Sequence, residues 1–497
     1  MRKVFIITIC LSIFLFSACS QKEKIVIIST SGIADWLSNK KQDSGGFAVL
    51  KKVIEKENPY PIVLDMGNWL TSIDEGRTLK LNSLIDCMNN TGYSLAILGN
   101  TDISFPSETL DKNLTKSSFS ILASNVYLKK TGAQPPYAKV RHILNIKNNS
   151  IGFFSINTFD EKKFNSAKTL PFYRLEKENY EIARNVNNLK KSGAKIIIML
   201  LNITPLKKDF RVKEFYKLIA KGNYSPDIVI VNGLTSEKQV KINHTYFINQ
   251  VKNSSIALKT DISINSKTGK LSGVSSKNII LNKKDLGENT EILKIETTHK
   301  KNIARIFDKK IGSSNVDLKR SPQGLSSLAN WIALCMKNWS RAQGALITAD
   351  KLTGNISKGI ITKRDIYELM DYNTHIVYLK LRGDSLRAII NANLDKGLGL
   401  AGITLSIKNN TADEIKIRNR RLIPSKIYQI AVPDYMLNEE KYQILPHAVE
   451  FVNKPQSILE ILKWQLRRTR KPVEISKVTL QNDSVKEKKD SPGNIKI

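Results

Sequence analysis

Several oxygen-bearing side chains follow short apolar segments in the first half of the chain. Asp65 ends the segment "YPIVLD", and Asn100 and Asp102 follow "SLAILG". A further carboxylate, Asp35, comes shortly after "KIVIIST". Carboxylate and amide oxygens are the ligands that Mg²⁺ and Ca²⁺ prefer in proteins. Asp35 and Asp65 therefore predict a weak cation site at most, and Asp65 also fits as a residue that caps a turn at the end of a strand.

Histidines and cysteines add little to this set. A tight two-metal centre needs imidazoles as well as carboxylates, and no histidine follows a predicted strand of the α/β pattern. A lone histidine is more often solvated or hydrogen-bonded than metal-bound. Cys87 and Cys335 lie far apart in predicted helices, which favours buried thiols over a disulfide or a metal pair. The five histidines are His142, His244, His299, His375 and His447.

Apolar strands alternate with amphipathic helices in the first half of the chain. Such alternation indicates an α/β layered domain, in which sites form at the carboxyl ends of the strands. A hairpin-like pattern over 236–282 closes this domain with antiparallel strands. The predicted strands of the α/β pattern lie at 24–30, 60–70, 94–100, 119–126, 150–158, 194–203 and 226–233.

The 497 residues divide into two predicted domains. The first covers 24–283, a polar and Lys-rich linker helix covers 284–320, and the second domain covers 321–480. The polar tail 481–497 is predicted to be disordered. A chain of this length, 41% hydrophobic and 25% charged, can bury sizeable cores.

The N-terminus has the pattern of a secretory signal peptide. A short basic start is followed by an apolar core, which is short for a membrane span, and by small residues before Cys19. Because "FSAC" is close to a bacterial lipobox, we predict removal of residues 1–18 and lipidation of the Cys19 thiol. The alternative is an ordinary signal peptide with a chance cysteine. We therefore expect a lipid-anchored protein of the bacterial envelope, on the outer membrane and facing the periplasm or the exterior.

The net charge of +33 is spread along the whole chain. Such a surface favours nucleic acid, an anionic membrane surface, or acidic proteins and ligands as partners. No zinc-finger spacing and no RNA-binding aromatic signature occurs in the sequence. The charge therefore predicts a diffusely basic surface rather than a specific nucleic-acid site.

The order of these segments resembles the 5′-nucleotidase family of secreted two-domain phosphoesterases over nearly the whole mature chain. "DSGGFAVLKKVIEKENPYPIVLDMGNWL" is similar to the family's Gly-Gly helix and "LDAGD" strand end, and "CMNNTGYSLAILGNTDISF" to its "MNALGYDAMTLGNHEFDFG". "GNISKGIITKRDIYELMDYNTHIVYLKLRGDSLRAII" is similar to the strongest stretch of its C-terminal domain. The resemblance implies an α/β protein with a calcineurin-like metallophosphoesterase domain of α/β/β/α layers and a 5′-nucleotidase-type α/β C-terminal domain.

Members of that family hydrolyse phosphate esters with two divalent metals. At the positions that match the metal ligands, this chain keeps only Asn100 of the family's residue types, and Thr101 stands where the family has its catalytic histidine. The resemblance therefore implies a degenerate metal site, with no catalytic residue and no cofactor. The other replaced positions are Gly32, Ala34, Asn68, Asn202, Gly233 and Thr235.

The nucleoside site of the family is also altered. "TADKLTGN" matches the phosphate-binding loop but lacks its glycines and arginine, so that Lys351 remains as the anion contact. "VPDYMLNEEKY" matches a base-stacking stretch, and Tyr435 would stack on a base unless it packs within the core or loop. Lys351 and Tyr435 are the candidate ligand-binding residues.

Three functions are consistent with these residues. The leading hypothesis is a catalytically inactive envelope lipoprotein that binds an anionic ligand or acts as a scaffold in an envelope protein complex. Another hypothesis is a protein that binds nucleotides through Tyr435 and Lys351 without hydrolysing them. The alternative from a different class is an active metal-dependent 5′-nucleotidase or phosphoesterase with Mn²⁺, Zn²⁺ or Mg²⁺ in a rebuilt site made of Asp35, Asp65, Asn100 and Asp102.

Overall fold

The computed structural model describes residues 22–37, 43–69, 77–105, 107–158, 172–203, 212–221, 224–234, 239–251, 253–321, 326–370, 374–469 and 471–474. The chain forms two compact units that divide between Ile303 and Ala304. Among the described residues, no helix is both long and apolar enough to cross a membrane. Cys87 and Cys335 are buried free thiols, as predicted.

The first unit contains fourteen of the described strands and seven helices, the last of which continues past the end of the unit at Ile303. The strands are β1 (Lys22–Thr30), β2 (Ile62–Asp65), β3 (Leu95–Ile97), β4 (Ser120–Leu122), β5 (Val126–Leu128), β6 (Arg141–Ile146), β7 (Asn149–Thr158), β8 (Tyr173–Leu175), β9 (Ile196–Ile203), β10 (Ile228–Leu234), β11 (Val240–Ile242), β12 (Thr245–Val251), β13 (Ile256–Asn265) and β14 (Leu271–Ile280). The helices are α1 (Phe47–Glu55), α2 (Arg77–Thr91), α3 (Ser107–Leu114), α4 (Glu178–Lys191), α5 (Val212–Ile219), α6 (Lys283–Leu286) and α7 (Thr290–Phe307).

Two six-stranded sheets form the centre of the first unit. The first has the order β14-β13-β1-β2-β3-β4, and the second has the order β11-β12-β10-β9-β7-β6. Strands β1 to β4 are parallel to one another, as are β7, β9, β10 and β12. The carboxyl ends of the parallel strands of a sheet therefore lie at one edge, where side chains from distant parts of the sequence meet.

Alternating residues of each strand pack into different layers. Phe154, Met199 and Val229 of the second sheet pack with Val186 and Leu189 of α4 on its outer face. On the first sheet, residues of both parities are buried, because crossover helices cover its outer face. The core between the two sheets contains residues of both, among them Ile27, Leu64, Ile97, Phe153, Ile198 and Ile230. This is the predicted α/β/β/α arrangement.

Helix α7 lies in the predicted linker, and its residues up to Ile303 belong to the first unit. The buried carboxylate of Glu296 accepts a hydrogen bond from the backbone N–H of Ala48, near the start of α1, at 3.3 Å. Lys300 donates to the same carboxylate at 2.6 Å. A negative charge beside the first turn of α1 is favourable because the N-terminal N–H groups of a helix carry partial positive charge.

The second unit is built around a five-stranded sheet of order β19-β16-β23-β18-β24. Ser326 caps α8 by accepting from the N–H of Ala329, and Thr362 with Asp365 forms a capping box on α9. Its strands are β15 (Lys310–Ser314), β16 (Gly344–Thr348), β17 (Gly359–Thr362), β18 (His375–Arg382), β19 (Leu398–Ala401), β20 (Ile403–Lys408), β21 (Thr411–Ile417), β22 (Arg420–Arg421), β23 (Ile427–Pro433) and β24 (Ala448–Ser457). Its helices are α8 (Ser327–Ser340), α9 (Lys363–Tyr367), α10 (Gly383–Asn391), α11 (Asp434–Asn438) and α12 (Ile458–Thr469).

Candidate functional site

The carboxyl ends of the parallel strands in the first unit carry a row of amide side chains. The register of the second sheet pairs Asn157 of β7 with Asn202 of β9, and Asn202 with Asn232 of β10. All three side chains are buried. Asn202 and Asn232 donate long hydrogen bonds of 3.5 and 3.4 Å to the carbonyl oxygen of Met66, which follows β2 of the first sheet. The two sheets are thus joined at the edge where the sequence predicts a site.

Asp65, the last residue of β2, is completely buried at this edge. Its Oδ1 accepts from the N–H of Gly67 at 2.8 Å and from the indole Nε1–H of Trp69 at 2.7 Å, and its Oδ2 accepts from the hydroxyl of Thr30 at 2.6 Å. Burial raises the pKa of Asp65 to about 7 although these three hydrogen bonds oppose the rise, and the charge of Asp102 adds to it. Both carboxylate oxygens are therefore engaged by donors of the protein.

The second buried carboxylate, Asp102, joins two loops. Its Oδ2 accepts from the backbone N–H groups of Asn68 and Gly99, each at 2.8 Å. Gly67 has a φ of +73°, and a Cβ there would lie 2.5 Å from the carbonyl oxygen of Ile97. A Cβ on Gly99 would lie 2.3 Å from the N of Asn68. The two Gly-Asn turns therefore pack so closely that each requires glycine.

Asn68, Asn100 and Thr101, three of the positions compared with the family above, also lie within these loops. Asn68 accepts through Oδ1 from the N–H of Thr101 at 3.1 Å and from its hydroxyl at 3.3 Å. Asn100 donates through Nδ2 to the carbonyl oxygen of Thr158 at 3.2 Å. The neutral side chains at these positions connect one loop to the next by hydrogen bonds.

The remaining predicted positions are distributed around this edge. Gly32 has a φ of +78° and precedes a short 3₁₀ helix, Ile33–Leu37, which contains Ala34. Asp35 in that helix is exposed, so it stands outside the buried pair of Asp65 and Asp102. Gly233 lies within β10. Thr235 and Cys19 fall outside the described residues.

A two-metal centre needs several carboxylate and imidazole donors close together. No three His, Cys, Asp or Glu side chains in the described ranges form a group that could hold a metal ion. Two of the histidines have hydrogen-bond partners elsewhere, His142 with Ser120 and His299 with Asp86. Amides and hydroxyls that are already hydrogen-bonded to each other are poor replacements for carboxylates and imidazoles, which offset the loss of water from a divalent ion.

Sequence reasoning missed most of the amide row. The backbone N–H and carbonyl oxygen of Asn157 exchange hydrogen bonds with the side-chain amide of Asn125, and Nδ2 of Asn157 donates to the carbonyl oxygen of Leu98 at 2.9 Å. Asn232 accepts through Oδ1 from the hydroxyl of Ser31 at 2.9 Å. The available signal was the recurrence of asparagine at strand ends, in "SINT", "LLNI" and "IVNG".

The two candidate ligand-binding residues, Lys351 and Tyr435, belong to the second unit. The Nζ of Lys351 forms an ion pair with Glu439 at 2.8 Å. The Tyr435 hydroxyl donates to the carbonyl oxygen of Thr348 at 2.9 Å, and its ring lies 5.5 Å from that of Tyr442. Tyr435 packs against the core of the second unit. In this conformation both side chains are engaged within the protein, and their role in ligand binding stays a prediction.

Comparison with known proteins shows which family the chain resembles. The family model described as "5'-nucleotidase, C-terminal domain" matches residues 302–447. A 5′-nucleotidase of Vibrio parahaemolyticus is 21% identical over 481 residues, which cover 86% of this chain and 84% of the relative. Residues 302–447 therefore match the C-terminal domain of 5′-nucleotidases, and the chain as a whole is similar to 5′-nucleotidases in sequence and fold.

Solved structures agree with the two-domain 5′-nucleotidase fold. A 5′-nucleotidase precursor of Thermus thermophilus matches with a TM-score of 0.66 and 15% identity, over 91% of this chain and 97% of the other. A 5′-nucleotidase of Candida albicans matches with a TM-score of 0.60 and 13% identity, over 89% and 98%. These likenesses confirm the predicted fold class, with a calcineurin-like domain followed by a 5′-nucleotidase C-terminal domain.

A third relative is much longer than this chain. The endonuclease YhcR of Bacillus subtilis is 19% identical over 418 residues, which are 79% of this chain and 34% of the relative. The chain thus spans about a third of that protein's length.

The loss of the family's metal ligands at the positions named above stays a prediction.

Proposed function

We propose that this 5′-nucleotidase-like chain is a catalytically inactive, lipid-anchored envelope protein. It would use the inherited fold to bind a ligand or to assemble with other envelope proteins. The observation that carries the proposal is the amide row: buried neutral side chains, which donate hydrogen bonds to backbone carbonyl oxygens, occupy strand ends where a two-metal enzyme needs anionic and imidazole donors.

The two buried carboxylates support the same interpretation. Metal binding by Asp65 would require at least one of its oxygens to exchange the N–H of Gly67, the indole of Trp69 or the hydroxyl of Thr30 for a cation. The Oδ2 of Asp102 already accepts from the backbone N–H groups of Asn68 and Gly99, which a cation at that oxygen would displace. Since an unpaired buried N–H costs about 1–3 kcal/mol, the present bonding favours a structural role for both carboxylates.

The envelope location is proposed from the sequence. A signal-peptide pattern ending at Cys19 supports export and lipidation. The net charge of +33 supports an anionic ligand, an anionic membrane surface or an acidic partner protein.

A metal-dependent 5′-nucleotidase is the second candidate. Two observations favour it: the Vibrio relatives are named 5′-nucleotidases, and Asp65 and Asp102 are two buried carboxylates that influence each other's charge. Under this alternative, Mn²⁺, Zn²⁺ or Mg²⁺ would be held by a rebuilt set of ligands that includes Asp65.

Metal content and turnover measured on the same preparation separate the two candidates. The full chain would be purified, analysed for bound metals, and assayed on a panel of nucleotides with added Mn²⁺, Zn²⁺ or Mg²⁺. The Vibrio parahaemolyticus relative serves as the positive control. We expect no retained metal and no turnover above the buffer blank.

Two metals per chain with turnover would overturn the proposal. Asp65→Ala then shows whether the activity belongs to this edge, and Asp43→Ala is the matched control because Asp43 is an exposed carboxylate of the same unit. Activity lost only in Asp65→Ala would establish the rebuilt metal site.

A further inference from the structure

A cavity in the second unit is strongly basic. It has a volume of about 650 Å³, and its described lining includes none of the candidate site residues discussed above. Of the seven described lining residues, five are cationic and none is acidic. The lining residues are Arg305, Ile306, Lys309, Lys310, Ile311, Lys363 and Arg467.

Four segments bring these cations together. The end of α7 contributes Arg305, β15 contributes Lys310, α9 begins with Lys363, and the end of α12 contributes Arg467. The segments are tied to one another: β15 pairs with β17, where Lys310 faces Thr362. The N–H of Lys363 also donates to the carbonyl oxygen of Lys309 at 3.1 Å. The cavity is therefore formed by packed elements rather than by a single loop.

Helix α12 packs closely against β15 at this cavity. A Cβ on Gly312 of β15 would lie 2.8 Å from Cδ2 of Leu466, the residue before Arg467. This approach holds the Arg467 end of α12 beside β15. The backbone of Arg467 is thus fixed beside β15 by the packing of its neighbour, Leu466.

The nearest carboxylates in sequence already have cationic or capping partners. Asp308 accepts from Nε of Arg364 at 2.6 Å. Asp365 accepts from the N–H and the hydroxyl of Thr362, each at 2.7 Å. Neither acid is among the described residues that line the cavity.

Lys363 is the most enclosed of the five cations, at 8% exposure. Its Nζ lies 5.8 Å from the ring centroids of Phe307 and Tyr367, within the range of cation–π attraction. Aromatic faces lessen the cost of burying an ammonium group but leave its charge in place. The four other cations around the same cavity are exposed, and their repulsion of Lys363 is reduced by the surrounding water.

Helix polarity accounts for only part of this arrangement. The carboxyl end of a helix attracts cations, which explains Arg305 near the end of α7. The same effect does not explain the cations that β15 and α9 direct to the cavity. An anion at the centre would stabilise all five.

We propose that this cavity binds a phosphate-bearing ligand. Lysine and arginine are the side chains that contact phosphate oxygens most strongly. The volume exceeds that of one phosphate group and falls in the range of about 300–1,000 Å³ of small-molecule sites. Ile306 and Ile311 add an apolar part to the lining, suited to the remainder of such a ligand. The proposal stands independently of the proposed loss of catalysis.

Two probes distinguish a soluble phosphate from a lipid headgroup. Pyrophosphate would be titrated into the full chain by calorimetry. Vesicles of phosphatidylglycerol in phosphatidylcholine would be tested by co-sedimentation, with pure phosphatidylcholine as the blank. All proteins carry Cys19→Ser so that a lipid anchor does not contribute to vesicle binding.

The test pair is Lys310→Gln with Arg467→Gln. The matched control is Lys408→Gln with Arg420→Gln, which removes the same charge from exposed positions of β20 and β22 in the same unit. We expect the test pair to weaken binding of at least one probe by about tenfold or more. The control pair should change it by less than about twofold, since neither control residue is among the described residues that line the cavity.

Each outcome decides the proposal. Pair-dependent binding of pyrophosphate identifies a soluble phosphate, and pair-dependent binding of vesicles alone identifies a headgroup. Equal weakening by the test and control pairs would show diffuse attraction and overturn the proposal, as would no binding of either probe. Circular dichroism and thermal melting confirm that each variant is folded before it is compared.

Discussion

At the scale of single residues, Asp65 shows how burial changes the chemistry of a carboxylate. Its ordinary pKa is near 3.8, and burial at the end of β2 raises the pKa to about 7 despite three hydrogen bonds. Desolvation disfavours the charged form, which explains the direction. Between these two pH values the folded protein holds a proton that the unfolded chain has lost. This group therefore lowers the free energy of unfolding as pH rises from about 4 to about 7.

Asp65→Asn should remove that pH dependence. The amide keeps an oxygen that accepts from Gly67 and Trp69, and it has no proton to lose. At pH 8 the variant should be more stable than the wild type by up to about 4 kcal/mol, from 1.36 kcal/mol for each of about three pKa units. The two proteins should converge near pH 4. Urea unfolding at a series of pH values measures this, with exposed Asp35→Asn as the control. Parallel pH profiles would contradict the assignment.

At the scale of elements, the turns after β2 and β3 form one unit. Each ends an apolar strand with Gly-Asn, and Asp102 bonds to backbone N–H groups of both turns. Asn68 has a φ of 66°, which asparagine tolerates better than most residues. The close packing of these turns positions Thr101, Asn68 and Asn100, whatever the function of the edge.

Gly99→Ala should therefore destabilise the first unit. The added Cβ would lie 2.3 Å from the N of Asn68, so the turn must move and weaken the bonds to Asp102. We expect a loss of about 3 kcal/mol or more in the free energy of unfolding. Gly273→Ala in β14 is the matched control, since nothing lies within 4 Å of a Cβ there. Urea unfolding followed by circular dichroism compares the two. Similar stability of both variants would show that the turns are not closely packed.

At the scale of the whole molecule, the two units each bury their own core. The first unit holds the row of amides, and the second holds the basic cavity. Both follow a signal-peptide pattern that would tether them to a membrane through Cys19.

Cys19→Ser should release the whole chain from the membrane fraction. A thioether-linked lipid needs the cysteine thiol, and serine does not replace it in this modification. Detergent phase partitioning of cells that produce either form measures the effect. We expect the wild type in the detergent phase and the variant in the aqueous phase. Partitioning of both into the aqueous phase would mean an ordinary signal peptide with a chance cysteine.

The sequence by itself determined the layered α/β architecture of the first domain and the resemblance to the 5′-nucleotidase family. These conclusions rest on local information: apolar runs of strand length, amphipathic helical patterns, and Gly-Asn turns at predictable places. The burial of Cys87 and Cys335 also followed from their apolar helical surroundings. Each signal lies within a few residues of the feature that it predicts.

Only the tertiary structure decided what the strand ends do. The bond from Ser31 to Asn232 joins residues 201 positions apart, and the cavity beside Lys363 gathers side chains from 305 to 467. Such neighbours are set by strand register and helix packing, which no short segment specifies. The surroundings of Asp65 could not be predicted from the sequence for the same reason. Its donors include Trp69 nearby and Thr30 from an adjacent strand, and its burial depends on both sheets.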